Sequence, residues 1–295
     1  MPCANDAAST MPPEDPHNMN PESTKSFQVS QLTTLSPKPA VDGFIRISPL
    51  MAISPRVSVV VPALNEAENL PHVFATLPRW IHEVVLVDGN STDDTVAVAR
   101  RLRPTLRVVQ QRGRGKGDAL AAGFAACTGD LIVMIDADGS TDGQEIIRFV
   151  GALVAGADYA KGSRFASGGG SDDITLSRRF GNFVLSSLVN RLYGTRYTDL
   201  CYGYNAFWAC HLDTLAPDCA GFEVETLMNI RAAKAGLRVH EIPSHERNRI
   251  HGTSNLRAIR DGWRVLKTIV RERRTGSPIV ERDRSTVSAA DRGAA

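Results

Sequence analysis

The sequence predicts an α/β fold built on a mostly parallel sheet with helices on both faces. Two observations predict it: short β-branched runs alternate with helical segments between about residues 55 and 274, and polar or glycine-rich clusters follow four successive strands. A chain of 295 residues, 42% of them hydrophobic, is long enough for one large α/β domain or two small ones. No apolar run approaches the roughly 20 residues that a membrane-spanning helix needs.

The predicted elements follow in order along the chain. Val57–Val61 is a β-branched run that predicts a buried parallel strand, and Glu66–Leu77 predicts a helix with Asn65 at its N-cap. Later strands are predicted at Glu83–Val87, Leu106–Gln110, Asp130–Ile135 and Asp158–Gly162. Later helices are predicted at Asp93–Arg103, Lys116–Cys127, Gln144–Ala155 and Glu223–Ala235. Ligands of such sheets bind beyond the carboxyl ends of the strands, so the loops there form the candidate site.

Composition divides the chain into four parts. Residues 1–53 and 275–295 are rich in polar residues and proline or lack apolar clusters, so both are expected to be disordered. The folded domain is expected at residues 54–254, followed by a basic amphipathic helix at residues 255–274.

Charge and cysteine usage exclude several classes of function. A net charge of +2 excludes a protein that holds nucleic acid by bulk charge, and RNA-binding aromatic motifs are absent, so no nucleic-acid partner is predicted. The five cysteines form no CxxC pair. This pattern argues against a zinc site or a disulfide scaffold, and together with the lack of a secretion signal it predicts a cytoplasmic protein.

The strand ends carry the residues that point to chemistry. Asp136 and Asp138 follow an apolar strand, and a divalent cation would relieve the repulsion between two carboxylates at this spacing. Mg²⁺ or Mn²⁺ prefers such oxygen ligands and completes its shell with substrate phosphates and water. The glycine-rich loop at residues 112–117 offers backbone N–H groups and cations to a phosphate at a helix N-terminus. Together these features predict a nucleotide diphosphate as ligand.

Four motifs at the strand ends resemble the family 2 glycosyltransferases of the GT-A fold, and especially the polyprenyl- or dolichyl-phosphate hexose (mannose or glucose) synthases: Val59–Glu66, Val87–Thr95, Gly115–Gly117 and Ile135–Asp138. Four later segments agree with the resemblance and keep the family's order: Lys161–Phe165, Ser177–Asn182, Thr198–Tyr204 and Phe222–Glu225. The resemblance implies the GT-A fold and sugar transfer from a nucleotide sugar.

The resemblance also implies a donor site for a GDP- or UDP-hexose. Asp136 and Asp138 would hold Mg²⁺ or Mn²⁺ on the diphosphate, and Asp138 is expected to be catalytic. The segment at residues 247–254 would close over the donor. The other residues implied to bind the nucleotide sugar are Pro62, Asn65, Glu66, Asp88, Lys116, Gly117, Arg249 and Ser254.

On the acceptor side, the resemblance implies that Arg164, with Arg178 or Arg179, meets a phosphate. A phosphate monoester is already largely ionised near neutral pH, so it needs forked arginine contacts more than a general base. The Arg178-Arg179 pair also fits a solvated helix start. Glu223 and Glu225 would supply a base if the acceptor is an alcohol, or they form a charged first helical turn.

The predicted function is an inverting, metal-dependent transfer of a hexose from a nucleotide sugar to polyprenyl phosphate. One alternative is the same fold acting on a soluble or polysaccharide alcohol. Another is a binding module without activity, against which the intact Asp136 and Asp138 argue.

The segment 255–274 predicts a location at the inner face of the cell membrane. It carries seven cationic and two acidic side chains, and such a helix suits an anionic membrane surface. Packing on the domain with a solvated basic face is the alternative, with recruitment by a membrane protein. The apolar run Phe180–Tyr193 either guides a lipid chain or belongs to the core. The predicted apolar stripe comprises Leu256, Ile259, Trp263, Leu266, Ile269 and Val270.

Overall fold

The structure, a computed structural model, describes residues 54–253 and 257–275. The predicted disordered segments, apart from Thr275, lie outside these residues. The strands are β1 (Val57–Ala63), β2 (Glu83–Asp88), β3 (Arg107–Gln110), β4 (Leu131–Met134), β5 (Tyr159–Ser163), β6 (Gly170–Ser171), β7 (Asn205–Trp208), β8 (Val239–Pro243) and β9 (His245–Glu246). The α-helices are α1 (Leu70–Thr76), α2 (Thr95–Leu102), α3 (Lys116–Ala126), α4 (Ile146–Val154), α5 (Leu176–Tyr193), α6 (Leu212–Leu215), α7 (Val224–Lys234) and α8 (Ala258–Arg274).

The main sheet is mostly parallel, which confirms the predicted α/β class. Its strand order is β3-β2-β1-β4-β7-β5-β8, and β6 pairs with β9 in a small second sheet. Within this sheet, β7 alone runs antiparallel to its two neighbours. It is one of the strands that the sequence did not predict. Because Met134 lies opposite Asn205, the residues before β7 lie beside those that follow β4. This places the chain around Gly203 next to Asp136.

Strand β1 is buried on both faces, which explains its run of β-branched residues. Val59 and Val61 belong to an apolar cluster that includes residues of α1 and α4, whereas Val60 belongs to a cluster that includes residues of α3 and α7. Successive side chains of a strand point to opposite faces, so both faces need a helical cover. The carboxyl edge of the sheet remains free for a ligand.

Helix α1 begins later than predicted. It starts at Leu70 with Asn69 in the N-cap position, so the prediction of a helix from Glu66 capped by Asn65 is wrong. Asn65 has a φ of +56°, a left-handed conformation that asparagine tolerates better than most residues and that a helix N-cap does not adopt. The turn through Asn65 leads the chain out of β1 before the helix can form.

Helix α8 packs against α5 and α7. Val265 and Ile269 share an apolar cluster with Val189 of α5, and the Tyr193 hydroxyl donates to the Ile269 carbonyl at 2.8 Å. No helix within residues 54–253 and 257–275 is long and apolar enough to cross a membrane.

Leu256 of the predicted apolar stripe lies outside the described residues, and for the members within α8 the prediction of one continuous stripe is wrong. Ile269 is fully buried, whereas Ile259 and Trp263 are 92% and 58% exposed. The apolar residues of α8 are therefore divided between a buried face and an exposed face. The inner face also buries Asp261 and Glu272, polar residues that hydropathy alone assigns to solvent.

Candidate active site

A cavity of about 990 Å³ opens at the carboxyl ends of β1 and β4. Its size is suitable for a small-molecule ligand. Helices α5 and α8 line the cavity with residues from their N-terminal halves. The sequence-predicted site residues on its wall are Pro62, Glu66, Lys116, Asp136, Asp138, Arg164, Arg178 and Arg249.

Lys116, the first residue of α3, bridges two carboxylates in this wall. Its Nζ lies 2.5 Å from Oδ1 of Asp136 and 2.8 Å from Oε1 of Glu225. Burial by itself would lower the pKa of Lys116, but the two carboxylates raise it above its usual value. Burial raises the pKa of Glu225 above its usual value, and the negative charge of Asp136 adds to the shift, although Lys116 opposes it. The end of β4 therefore carries a cluster of one ammonium and two carboxylates, in which Lys116 and Glu225 are largely removed from solvent.

Asp138 lies against the segment that follows β9. Its Oδ1 accepts a hydrogen bond from the Ser140 N–H at 3.0 Å, and its Oδ2 lies 3.5 Å from Nη2 of Arg249. Nη1 of Arg249 donates to both carboxylate oxygens of Glu66, at 3.0 and 3.2 Å. Burial raises the pKa of Glu66, although Asn69 and Arg249 oppose the shift. Arg249 thus joins the loop after β1 to the loop after β4.

The donors at the end of β4 fit a divalent cation that shares its shell with a substrate. In the described part of the chain, no group of three or more histidine, cysteine or acidic side chains is arranged to hold a metal. Asp136 and Asp138 offer hard oxygen donors, and Lys116 engages Oδ1 of Asp136. A Mg²⁺ or Mn²⁺ ion here would need the diphosphate oxygens of a donor to complete its coordination.

Asp88 and Asn65, which were predicted to bind the nucleotide sugar, support the loops and do not line the cavity. The Asp88 carboxylate accepts a hydrogen bond from Nε2 of Gln110 at 3.1 Å. Oδ1 of Asn65 accepts one from the Thr92 N–H at 2.8 Å. Both side chains tie the ends of neighbouring strands together.

Gly117 brings α3 close to the loop before α7. Its N–H donates to the Ala220 carbonyl at 3.0 Å, and a Cβ at residue 117 would collide with the Cys219 carbonyl. Gly115 has a φ of +89°, and a Cβ at this residue would collide with the Ala220 carbonyl. The glycines therefore serve close backbone packing, which positions Lys116 between them.

Arg164 lies in the cavity wall with its guanidinium already engaged. Nε and Nη2 donate to the two oxygens of the Asp199 carboxylate at 2.7 and 3.0 Å, and Nη1 donates to Glu246 at 3.1 Å. The side chains of Arg164 and Asp199 are nearly or completely buried. Burial would lower the pKa of Arg164, but these two acids raise it. Arg164 is therefore a fixed part of the wall.

Arg178 is the more accessible of the predicted acceptor arginines on the cavity wall. Its Nη1 donates to Asp173 at 3.0 Å, and both residues line the cavity. The Arg179 side chain is exposed, packs over the ring of Phe165 and does not line the cavity.

Glu223 does not reach the cavity. Oε1 accepts a hydrogen bond from the Gly221 N–H at 3.2 Å, and Oε2 is buried without a partner among the described residues. Glu225, two residues later, reaches the cavity wall through its ion pair with Lys116. Ser254 lies outside the described residues.

Sequence reasoning missed several wall residues. Gly203 is required because a Cβ there would lie 2.6 Å from both Asp136 Oδ2 and Lys116 Nζ. Glu246 and Gln111 also line the cavity. Gln111 directly follows β3, so its place at a strand end was the available sign.

Comparisons with known proteins agree with this geometry. A family profile described as "Glycosyl transferase family 2" matches residues 58–231. The "Glycosyltransferase AglJ" of Haloferax volcanii is 30% identical over 228 residues, which cover 76% of this chain and 74% of that protein. The "Dolichol-phosphate mannosyltransferase" of Pyrococcus furiosus is 27% identical over 231 residues, with 72% of this chain and 64% of that protein covered.

A solved structure of glucosyl-3-phosphoglycerate synthase from Mycobacterium tuberculosis, in complex with Mn²⁺, UDP and glucosyl-3-phosphoglycerate, shares the fold. The superposition has a TM-score of 0.60 at 24% identity and covers 74% of this chain and 80% of the other. The sheet order, the acidic pair after β4 and the family match lead to one conclusion. This chain belongs to glycosyl transferase family 2 and has the GT-A fold.

Proposed function

We propose that the protein transfers a hexose from a GDP- or UDP-sugar to the phosphate of polyprenyl phosphate, with inversion at the anomeric carbon. The observation that carries the proposal is the composition of one cavity, whose wall contains both the Asp136–Asp138 pair and Arg178 of α5. The acidic pair suits a metal-bound diphosphate, and the arginine suits a second phosphate. The similarity to the dolichol-phosphate mannosyltransferase of Pyrococcus furiosus supports the choice of a lipid phosphate.

One set of residues would stabilise the leaving diphosphate, and another would bind the attacking phosphate. A Mg²⁺ or Mn²⁺ ion held by Asp136 and Asp138 would act as a Lewis acid on the diphosphate. Lys116 and Arg249 add fixed positive charge beside these carboxylates. An oxygen of the acceptor phosphate attacks the anomeric carbon, the bond from that carbon to the diphosphate breaks, and a nucleoside diphosphate leaves. Arg178 holds the incoming phosphate, which needs no general base.

An alcohol acceptor is the second candidate, and the wall offers it little help. Such an acceptor needs a general base within hydrogen-bond reach. Glu223 does not line the cavity, and Glu225 is held by Lys116. The wall carboxylates of Asp173 and Glu246 are likewise paired, with Arg178 and Arg164. The distinguishing assay supplies labelled GDP-mannose, UDP-glucose or UDP-N-acetylhexosamine with polyprenyl phosphate and Mn²⁺. Label in the organic phase supports the proposal, whereas label that stays aqueous with an alcohol or phosphoglycerate acceptor contradicts it.

Arg178→Ala is expected to weaken use of the lipid phosphate and to spare the nucleotide. Loss of one charge-assisted hydrogen bond should raise the KM for polyprenyl phosphate roughly tenfold. Calorimetry should give an unchanged affinity for the nucleotide diphosphate. Arg191→Ala, in the exposed last turn of the same helix, is the matched control. Equal losses for donor and acceptor would remove the assigned role.

We propose that the enzyme reaches its acceptor by docking on the inner face of the cell membrane through α5 and α8. Both helices turn apolar side chains to solvent in the halves that also line the cavity. We call this set the docking face, and its members are Leu176, Phe180, Phe183, Val184, Ile259 and Trp263.

The charges around the docking face favour an anionic bilayer as its occupant. Arg179, Arg257, Arg260 and Lys267 are exposed, and none of them forms an ion pair with another described residue. Each cation near an anionic membrane contributes about 1 kcal/mol, and salt screens this term. The aromatic and aliphatic side chains add burial in the headgroup region.

The docking face predicts salt-dependent binding to anionic vesicles. The purified protein is expected to co-sediment with them at low salt. Phe180→Ser with Phe183→Ser should weaken that binding tenfold or more, since each ring contributes roughly 1.5–3 kcal/mol when buried. Ile147→Ser with Val154→Ser is the control, because these α4 residues are also exposed but do not line the cavity.

Two outcomes would oppose membrane docking through α5 and α8. One is protein that stays in the supernatant at low salt. The other is a dimer that the docking-face variant abolishes, which would assign the face to a second copy of this chain.

A further inference from the structure

Gln111 presents a fixed hydrogen-bond acceptor to the cavity. The residue follows β3 and is only 6% exposed, yet it lines the cavity wall. Its Nε2 donates to the Gly115 carbonyl at 2.8 Å. Only the nitrogen of an amide can donate to a carbonyl, so this bond determines which way the amide is turned. Oε1 must then point away from Gly115.

Oε1 of Gln111 lacks a partner among the described residues, although its side chain is held in place. No N–H or hydroxyl of residues 54–253 and 257–275 donates a hydrogen bond to it. It is also not one of the fully buried polar atoms without a partner in those residues, so it remains accessible. A Cβ at Gly89 would lie 3.2 Å from this oxygen and 3.3 Å from the Ala63 carbonyl. The absence of a side chain at Gly89 therefore leaves space beside the oxygen.

The neighbours of this oxygen suit a flat heterocycle. Ala63 and Leu64, where β1 ends, border the same space beside Gly89 as this oxygen, and with Pro62 they line the cavity. The adjacent Gln110 cannot serve as the reader, because its side chain is exposed and does not line the cavity. Gln111 is thus a buried amide with one engaged group and one acceptor free for a ligand.

We infer that Gln111 selects the base of the nucleotide sugar by accepting a hydrogen bond from a ring N–H. Uracil carries such a hydrogen on N3 and guanine on N1, whereas the corresponding ring nitrogens of cytosine and adenine are acceptors. An acceptor placed opposite an acceptor leaves both unpaired, which a buried site disfavours strongly. The inference rests on the proposed function and restricts its donor to uridine or guanosine diphosphate sugars.

Calorimetry with nucleotides alone tests the inference on the unmodified protein. UDP, GDP, CDP and ADP are titrated with Mn²⁺ present, and UDP or GDP should bind at least about tenfold more tightly than CDP and ADP. Methylation of the ring nitrogen in the preferred base, at N3 of UDP or N1 of GDP, should remove that advantage. Equal binding of all four bases, or full binding of the methylated nucleotide, overturns the inference.

Gln111→Met then assigns the preference to this side chain. The variant should bind the preferred nucleotide and its methylated form with similar affinity, and a thermal melt checks that it folds. Gln110→Met makes the same change in the neighbouring amide and should retain the difference. A difference that survives in Gln111→Met overturns the inference. Because these titrations need no acceptor, a base preference without transfer to polyprenyl phosphate would refute only the proposed function, and no nucleotide binding would refute both.

Discussion

Asp138→Asn is expected to lose nearly all hexosyl transfer and to keep its fold. An amide lacks the negative charge that holds a divalent cation, so the leaving diphosphate loses several kcal/mol of transition-state stabilisation. The structural role of the side chain survives the change. The amide oxygen can still accept from the Ser140 N–H, and the contact with Arg249 is long, at 3.5 Å. Activity should therefore fall far more than stability.

Initial rates with Mn²⁺ or Mg²⁺ and a thermal melt measure the two effects of Asp138→Asn. EDTA should inhibit the unmodified enzyme, and added metal should restore its activity. Asp213→Asn, an exposed acid of α6, is the control and should retain full turnover. Normal turnover of Asp138→Asn, or of the unmodified enzyme in EDTA, would refute the metal role of this carboxylate.

The residues at the strand ends are the part of the site that could be predicted from the sequence. A β-branched run predicts a buried parallel strand, and the carboxyl ends of parallel strands lie along one edge. That reasoning placed Glu66, Lys116, Asp136 and Asp138 together, and the structure has all four on one cavity wall. Position at the strand ends was enough to bring these residues together, whereas the donor-binding roles of Glu66 and Lys116 came from the resemblance to family 2 glycosyltransferases.

The partners of buried charges could not be predicted in the same way. Arg164 pairs with Asp199, which lies 35 positions later, and Lys116 pairs with a glutamate of α7. Such pairs depend on how β7 and α7 pack, and no short-range pattern encodes that packing. Arg164 therefore looked like a free phosphate ligand, although two carboxylates engage its guanidinium. The conformation of Asn65 escaped prediction because a polar residue before a helical pattern also fits an N-cap.

Lys116→Met is expected to destabilise the fold by about 3–5 kcal/mol, because it leaves a buried carboxylate without its cation. Glu225 is 3% exposed, and Lys116 is its one salt-bridge partner in the described part of the chain. Glu225→Gln in the same chain should restore most of the loss, since it removes the unpaired charge. An equal loss in the single and double variants would show that packing, and not charge, stabilises this place.

The pH dependence of Lys116→Met separates charge from packing a second time. Burial already raises the pKa of Glu225 above its usual value, and Lys116 opposes that shift. Without Lys116 the pKa in the folded state rises further, so the folded form retains a proton that the unfolded form has lost. Stability of the variant must then fall as the pH rises through this interval. Denaturant melts should show a larger loss at about pH 7.5 than at about pH 5. The double variant, which has no acid at residue 225, should lose this difference, and a single variant equally destabilised at both values would contradict the buried charge.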